Sequence, residues 1–440
     1  MNIDWDQYEI VCKVGVSLPF YEAARPWLDR NESHRLFFLD EEQSEVLFND
    51  RRVRVFSVES PLQKEPLAKK IGALSAFKKL LVIGNEWKGA IEEQHLIAQM
   101  VGSDLAQFGT DVVAHLLANR RKKLRTLPIL HKPMPALVIG AGPSLESNGH
   151  LLKTFKDRAL LIAAGTAINT IDVVPHLAVA IDPHIPLIRK QFHQVPLCIQ
   201  SRVHPETSKG VKGDLYYIPD CSFPFEPWFM GGTDRFDGGW TVGNTAVSVA
   251  QQLGCNPIVL VGMDYCYQDK RKYAHGKKEK GIEHLVSTID AEGNTVLTQL
   301  DWLLSVRWLE QFAATHPNKE CWNGTARGMA ISGFPHRSLE EFHWPVQPVE
   351  WGNSQPVLFE QKKIKQWETS LLHCRTDTEE DEIARELLLD PLWNIWKPLF
   401  ERELMTDPEP LSMEEKLAIQ KMLFTNQIID EHLHALRTRR

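Results

Sequence analysis

"ALVIGAGPSLE", Ala136–Glu146, is an apolar run that stops at Gly140 and passes through Gly142, Pro143 and Ser144 before a helical pattern begins. An almost continuously apolar run suits a strand buried on both faces, and proline pre-sets the backbone for a first helical turn. Strand, glycine turn and helix start form the repeating unit of a doubly covered parallel sheet. The same rhythm recurs in "ALLIAA" (159–164), "LAVAID" (177–182), "PLCIQ" (196–200), "LYYI" (215–218) and "PIVLVG" (257–262). The predicted core is therefore α/β: a Rossmann-like, mostly parallel sheet with helices on both sides. Ligands of such sheets sit beyond the C-terminal ends of the strands.

A strand ending in Gly-x-Gly exposes backbone N–H groups, and the missing Cβ atoms let a phosphate approach. Two familiar forms of this device are excluded. A dinucleotide fingerprint needs a third glycine where this chain has Leu145, and an acidic residue at the next strand end, where it has Ala164, Gly165 and Thr166. A P-loop needs Gly-Lys-Ser/Thr after its first glycine, and none follows. What remains is a nucleotide site of another kind or a tight strand-to-helix turn. On the first reading, valine at Gly142 blocks the ligand and leaves the fold largely intact.

Three further segments carry candidate chemistry. "AVAIDPH" (178–184) leaves Asp182 at a strand end, either as a site carboxylate or as a turn residue before Pro183. "DGGWTVGNTAVSVAQQLG" (237–254) sets Asn244 and Thr245 at the start of an apolar helix, as ligand contacts or as caps. "NPIVLVGMDYCY" (256–267) places Asp264, Tyr265 and Tyr267 beyond another strand, with His275 in the polar loop behind them.

Together with "TVLTQLDWLLSVRWLEQF" and "WNGTARGMAISGF", these segments resemble the central domain of the motility-associated factor (Maf) glycosyltransferases. The archaeal 6-hydroxymethyl-dihydropterin diphosphokinases share that domain. The resemblance spans roughly 135–334 and implies a sialyltransferase-like core acting on a nucleotide-sugar donor, a CMP-linked nonulosonic acid. It implies a protein or glycan acceptor, flagellin in the Maf proteins themselves. By the same resemblance Gly140, Gly142, Pro143 and Ser144 border the CMP phosphate and ribose, Asn169 the nucleotide or sugar, and Asn244 and Thr245 the cytidine side. Tyr265 and Tyr267 hydrogen-bond the leaving phosphate. One departure touches the acceptor side: the family's "Asn-Ala-Thr-Glu-Gly-Gly-Ala" reads "WNGTARGMA" here, with Arg327 in the stretch.

The implied reaction is an inverting transfer through an oxocarbenium-like transition state. His275 is the expected general base, its ordinary pKa suiting that role, with His284 in reserve. Asp182 and Asp264 orient donor or base, and neither metal nor other cofactor is required. The alternative is ATP-dependent pyrophosphoryl transfer, in which Asp182 and Asp264 hold Mg²⁺ across the phosphates. A non-catalytic nucleotide-sugar-binding protein is the third reading.

The rest of the chain sets the frame. Its 440 residues exceed what one hydrophobic core usually organises. Three regions are expected: an N-terminal α/β or α+β domain (1–130), the core (131–335) and a C-terminal helical region (336–440). "RLFFLD", "RVRVFSV" and "KKLLVIGNEW" read as strands of the first region, followed by a long helix through Leu117. In the last region Leu371, Leu372, Ile383, Leu387, Leu388, Trp393, Trp396, Leu399 and Phe400 recur at helical spacing. A net charge of −7 argues against a nucleic-acid partner. The one basic run, "NRRKKLR" (119–125), reads as a solvated helix end or linker. No apolar stretch reaches membrane-spanning length, and no signal pattern opens the chain, so the expected compartment is the cytoplasm. Seven scattered cysteines without C-x-x-C suit buried thiols and no structural zinc.

Overall fold

The computed structural model describes residues 3–44, 48–76, 78–219, 236–276, 285–325 and 327–357, with 365, 368, 369 and 372; over 102–113 it describes the backbone alone. The helical pattern expected over 336–440 falls mostly outside the described residues, as do His284, Cys221 and Cys374. Two compact units divide at Gly109/Thr110, a point that falls inside one long helix.

The first unit is a four-stranded parallel sheet. Its strands are β1 (Ile10–Val14), β2 (Arg35–Asp40), β3 (Val53–Ser57) and β4 (Leu80–Ile83), in the order β3-β2-β1-β4. Of the two classes expected here, α/β is the one found. Parallel neighbours cannot be joined by tight turns. Helices α1 (Leu18–Leu28) and α2 (Lys64–Ser75) therefore occupy stretches that sequence reading left as strands and polar turns. Ser17 starts α1 by accepting a hydrogen bond from the Phe20 amide. The long helix, α3 (Asn85–Asn119), follows β4 directly.

The second unit holds an eight-stranded, wholly parallel sheet. Besides β5 (Leu124–Arg125) it contains the six strands read from the sequence: β6 (Ala136–Ile139), β7 (Leu160–Ala164), β8 (Leu177–Ala180), β9 (Leu197–Ile199), β10 (Leu215–Tyr217) and β11 (Ile258–Val261). An antiparallel hairpin, β12 (Val286–Ile289) and β13 (Thr295–Thr298), stands apart, and β14 (Cys321–Asn323) completes the sheet. The order is β14-β11-β6-β7-β8-β9-β10-β5. Every residue of β6, β7, β8, β9 and β11 is buried. Alternate residues feed separate clusters on the two faces: Val138 packs with one, Leu137 and Ile139 with the other. Helices α4 (Leu145–Asn148), α5 (Val242–Gln252) and α6 (Leu300–Thr315) belong to this unit.

The basic run is not a solvated linker. Asn119 is fully buried and donates from Nδ2 to the carbonyls of Ser201 and Val203, while Lys122 donates to the Pro205 carbonyl. Leu124 and Arg125 then form the edge strand beside β10. Its charges decorate a structural seam. The five described cysteines, Cys12, Cys198, Cys255, Cys266 and Cys321, are buried and unpaired in disulfides. No described helix is long and apolar enough to cross a membrane.

Candidate functional site

The strand order fixes the place. From β6 the chain steps outward through β7, β8, β9 and β10, then returns to lay β11 on the other side of β6. The loops leaving the C-terminal ends of β6 and β11 thus diverge from a topological switch point, where open α/β sheets form their ligand crevice. The first loop is the Gly140 turn, and the second carries Gly262, Met263 and Asp264.

These loops are bonded to each other. The Gly140 amide donates to the Val261 carbonyl (2.8 Å) and the Gly142 amide to the Gly262 carbonyl (2.9 Å). Asp264 accepts from the Ser144 amide at Oδ2 (2.9 Å) and from the Ser144 hydroxyl at Oδ1. Asp264 is only 3% exposed. Burial pushes its carboxyl up to about 7, and the two Ser144 hydrogen bonds oppose that rise. The Leu145 and Glu146 amides donate to the Gly142 and Pro143 carbonyls. The amides expected to face an anion are therefore largely committed within the protein, and the helix that follows, α4, is only four residues long.

The same contact accounts for the glycines. A Cβ on Gly140 falls 2.5 Å from the Gly262 carbonyl oxygen; one on Gly142 falls 2.7 Å from Asp264 Cγ and 2.8 Å from the Gly262 oxygen. Both positions need glycine because two loops meet there. The expectation that valine at Gly142 leaves the fold intact is accordingly corrected: the branched side chain collides with the neighbouring loop itself. The "WNGTARGMA" stretch joins the same cluster. Met329 donates to the Asp264 carbonyl, and a Cβ on Gly328 falls 2.7 Å from that oxygen. Arg327 beside it is exposed.

A third loop lies over the turn. Ala274 donates its amide to the Ala141 carbonyl (2.8 Å), His275 donates its amide to Glu146 Oε1, and Arg271 Nη1 pairs with the same oxygen at 2.7 Å. The His275 side chain is 71% exposed, with Nδ1 3.7 Å from Glu146 Oε1. Hydrogen bonds from the His275 amide and from Arg271, with their charges, hold the Glu146 carboxyl below the usual glutamate range. Four non-glycine residues of this segment, Tyr265, Asp269, Lys270 and His275, have positive φ. Such conformations cost energy and persist where the surroundings enforce them. Glu146 and Arg271 were assigned no role from sequence. The signal was Glu146 itself, the one charged residue of the "GAGPSLE" turn.

The remaining candidates are mostly engaged within the protein. Asn244 and Thr245 are fully buried. Asn244 accepts from the Thr241 amide and hydroxyl in a capping box and donates to the Ser305 carbonyl, tying α5 to α6; Thr245 donates to the Gly238 carbonyl. Asn244 thus completes the cap that Thr241 begins, and Thr245 ties the preceding loop to the helix. Tyr265 and Tyr267 are buried as well. Burial raises the Tyr265 phenol, the neighbouring Thr241 hydroxyl opposing it, and the Tyr267 ring packs 5.0 Å from Trp302. Asn169 bridges backbone: Nδ2 donates to the Ile188 carbonyl and Oδ1 accepts from the Lys190 amide. Asp182 is exposed, and its Oδ1 accepts from the His184 and Ile185 amides as a turn-forming aspartate does. Among the described residues no group of three His, Cys, Asp or Glu is placed to hold a metal ion.

Comparison with known proteins finds two likenesses. Residues 113–270 match the model of the family described as 6-hydroxymethylpterin diphosphokinase MptE-like. That segment is similar to MptE-like domains. It contains the Gly140 turn, Asp264 and both tyrosines. Over nearly the whole chain the fold is similar to that of a Maf glycosyltransferase from Magnetospirillum magneticum AMB-1, with a TM-score of 0.61 and 16% identity across 98% of this chain and 78% of that one. The two parts of the resemblance read from sequence, Maf and MptE-like, are thus both found. No curated protein matches the chain.

Proposed function

We propose that the chain is a glycosyltransferase that takes a nucleotide-activated sugar, a CMP-linked nonulosonate, and transfers it to a hydroxyl of a protein or glycan. The observation that carries this reading is the convergence at the β6/β11 switch point. The MptE-like turn, the buried Asp264 and the His275 loop meet there, in a fold like that of a Maf glycosyltransferase. The acceptor oxygen bonds to the anomeric carbon as the bond from that carbon to the nucleotide phosphate breaks. The acceptor proton passes to the His275 imidazole, and CMP leaves with the electron pair. Exposure of His275 leaves its ring able to meet an acceptor, and Glu146 steadies the backbone that carries it. Asp264 acts at one remove, by fixing Ser144 and the turn.

The MptE-like match supports a second reading, ATP-dependent pyrophosphoryl transfer with Mg²⁺. Thermal-shift titration with CMP and ATP separates the two, together with donor hydrolysis measured with and without chelator. Protection by CMP and chelator-resistant turnover are expected. Protection by ATP alone, with strict Mg²⁺ dependence lost in Asp182→Ala and Asp264→Ala, moves the assignment to the diphosphokinase class. CMP-sugar binding with no detectable hydrolysis or transfer leaves a binding protein. His275→Ala is expected to lower turnover on the order of 10²–10⁴-fold with donor affinity little changed. Normal turnover there, with loss in His284→Ala, transfers the base to His284.

A further inference from the structure

A phosphate entering the β6/β11 crevice needs positive charge, because a buried or half-buried anion is stable only when paired. The groups that sequence reading offered are not free to supply it. The turn's amides are largely bonded inside the protein, and both tyrosines are packed in the interior. Among the described residues the cation that does lie over the turn is Arg271. Its side chain is 24% exposed, and among the described residues a single Nη1 contact, to Glu146 Oε1, engages it. A guanidinium has five N–H donors in a planar fork that matches phosphate oxygens, so most of its donor capacity remains for a ligand. The backbone holds this fork in place from both sides. Ala274 is bonded to Ala141, His275 to Glu146, and the Arg271 amide to the Gln268 carbonyl (2.8 Å).

We infer that Arg271 is the phosphate-binding cation of the crevice, and that Glu146 is its counter-ion in the ligand-free protein. The inference rests on the proposed phosphate-bearing donor, and applies equally to CMP and to ATP because their phosphate chemistry is shared. Ligand phosphate takes the free N–H groups of Arg271, and the Glu146 carboxylate beside it acts as a competitor that the ligand must outbid.

Paired nucleotides and nucleosides test it without catalysis. Affinities for CMP against cytidine, ATP against adenosine, and inorganic pyrophosphate are measured by calorimetry on the full chain, for wild type, Arg271→Ala, Arg271→Lys and Glu146→Gln, each checked for an unchanged melting profile. Arg271→Ala is expected to weaken nucleotide binding by on the order of 10- to 100-fold, the worth of a charge-assisted hydrogen bond or two, and to leave the nucleoside unchanged. Arg271→Lys should recover part of the loss. Glu146→Gln, which keeps an acceptor for the His275 amide but removes the competing charge, should tighten nucleotide binding by roughly 1.5- to 5-fold. A merely structural pair gives losses of the same sign in both variants and for nucleoside and nucleotide alike; that result, or no change in Arg271→Ala, overturns the inference. Pyrophosphate binding that depends on Arg271 while neither CMP nor ATP binds refutes the nucleotide reading and leaves the arginine's role standing. Wild type that binds none of the probes refutes both.

Discussion

The tetrapeptide Leu-Val-Ile-Gly occurs twice, at 81–84 and at 137–140, and ends a parallel strand each time. In β6 it is central, paired with β7 on one side and β11 on the other, and Leu137, Val138 and Ile139 are fully buried. In β4 it is an edge, paired with β1 alone, and only Val82 is buried. Both sheets reverse at the strand from which the outward run began, so that β4 lies beside β1 in one unit and β11 beside β6 in the other. The chemistry at the two reversals differs. A Cβ on Gly84, whose φ is +128°, falls 2.5 Å from Val14 Cγ2, and Lys13 nearby donates to the carbonyls of its own loop, Val14 and Gly15. At Gly140 the opposing atoms belong to the Gly262 backbone and to Met263, with Ser144 and Asp264 beyond them. Sheet order makes a place for a site; the residues facing across it decide what the place can do.

The largest expected contrast lies within the repeated tetrapeptide. Ile139→Ala removes a side chain enclosed on all sides and should cost about 2–5 kcal/mol, whereas Ile83→Ala at the half-exposed edge should cost less than about 2 kcal/mol. Urea unfolding of both variants checks this; equal losses erase the distinction between centre and edge.

The two glycines come next. Gly140→Ala meets a backbone carbonyl and should destabilise by about 1–3 kcal/mol, with no single side-chain substitution to relieve it. At Gly84 the obstacle is a side chain, with Val14 Cγ2 at 2.5 Å and Cβ at 2.7 Å, so Val14→Ala, which keeps the Cβ, should recover part of the loss caused by Gly84→Ala, the rest being that Cβ and the strain of a positive φ. Additive losses in that double mutant show that the Val14 γ-methyl groups are not the obstacle.

The last contrast is a slope with pH. The Asp264 carboxyl stands at about 7, above the ordinary 3.8, so the folded protein holds this proton more tightly than the unfolded chain does. Its contribution to stability is complete below pH 4 and is lost as pH rises through about 7. Wild type should lose stability relative to Asp264→Asn between pH 4.5 and 7.5. A difference that stays flat, or a wild type that gains on the variant as pH rises, contradicts the burial that raises this carboxyl.

Much of the fold was legible along the chain because its strands are buried on both faces. Such strands read as near-continuous apolar runs, and each of the six marked between 136 and 262 lies in the one sheet. β5 and β14 escaped notice because two or three residues carry no period, and β5 reads locally as charge. At the site, local signals named the turn, Asp264 and His275, yet left open whether Asn244, Thr245 and Asp182 were ligand contacts or caps. Their hydrogen bonds were needed to show the capping and turn geometry.

By itself the sequence determined the class of the core and the positions of its chain reversals, since apolar runs, glycine and proline act over a few residues. The tertiary structure alone decided which Leu-Val-Ile-Gly became central, that Gly142 faces a carboxylate 122 residues further on, and that Glu146 holds Arg271 and the His275 loop. Those relations join segments more than a hundred residues apart. They arise from strand order, and no local pattern of residues encodes which strand lies beside which.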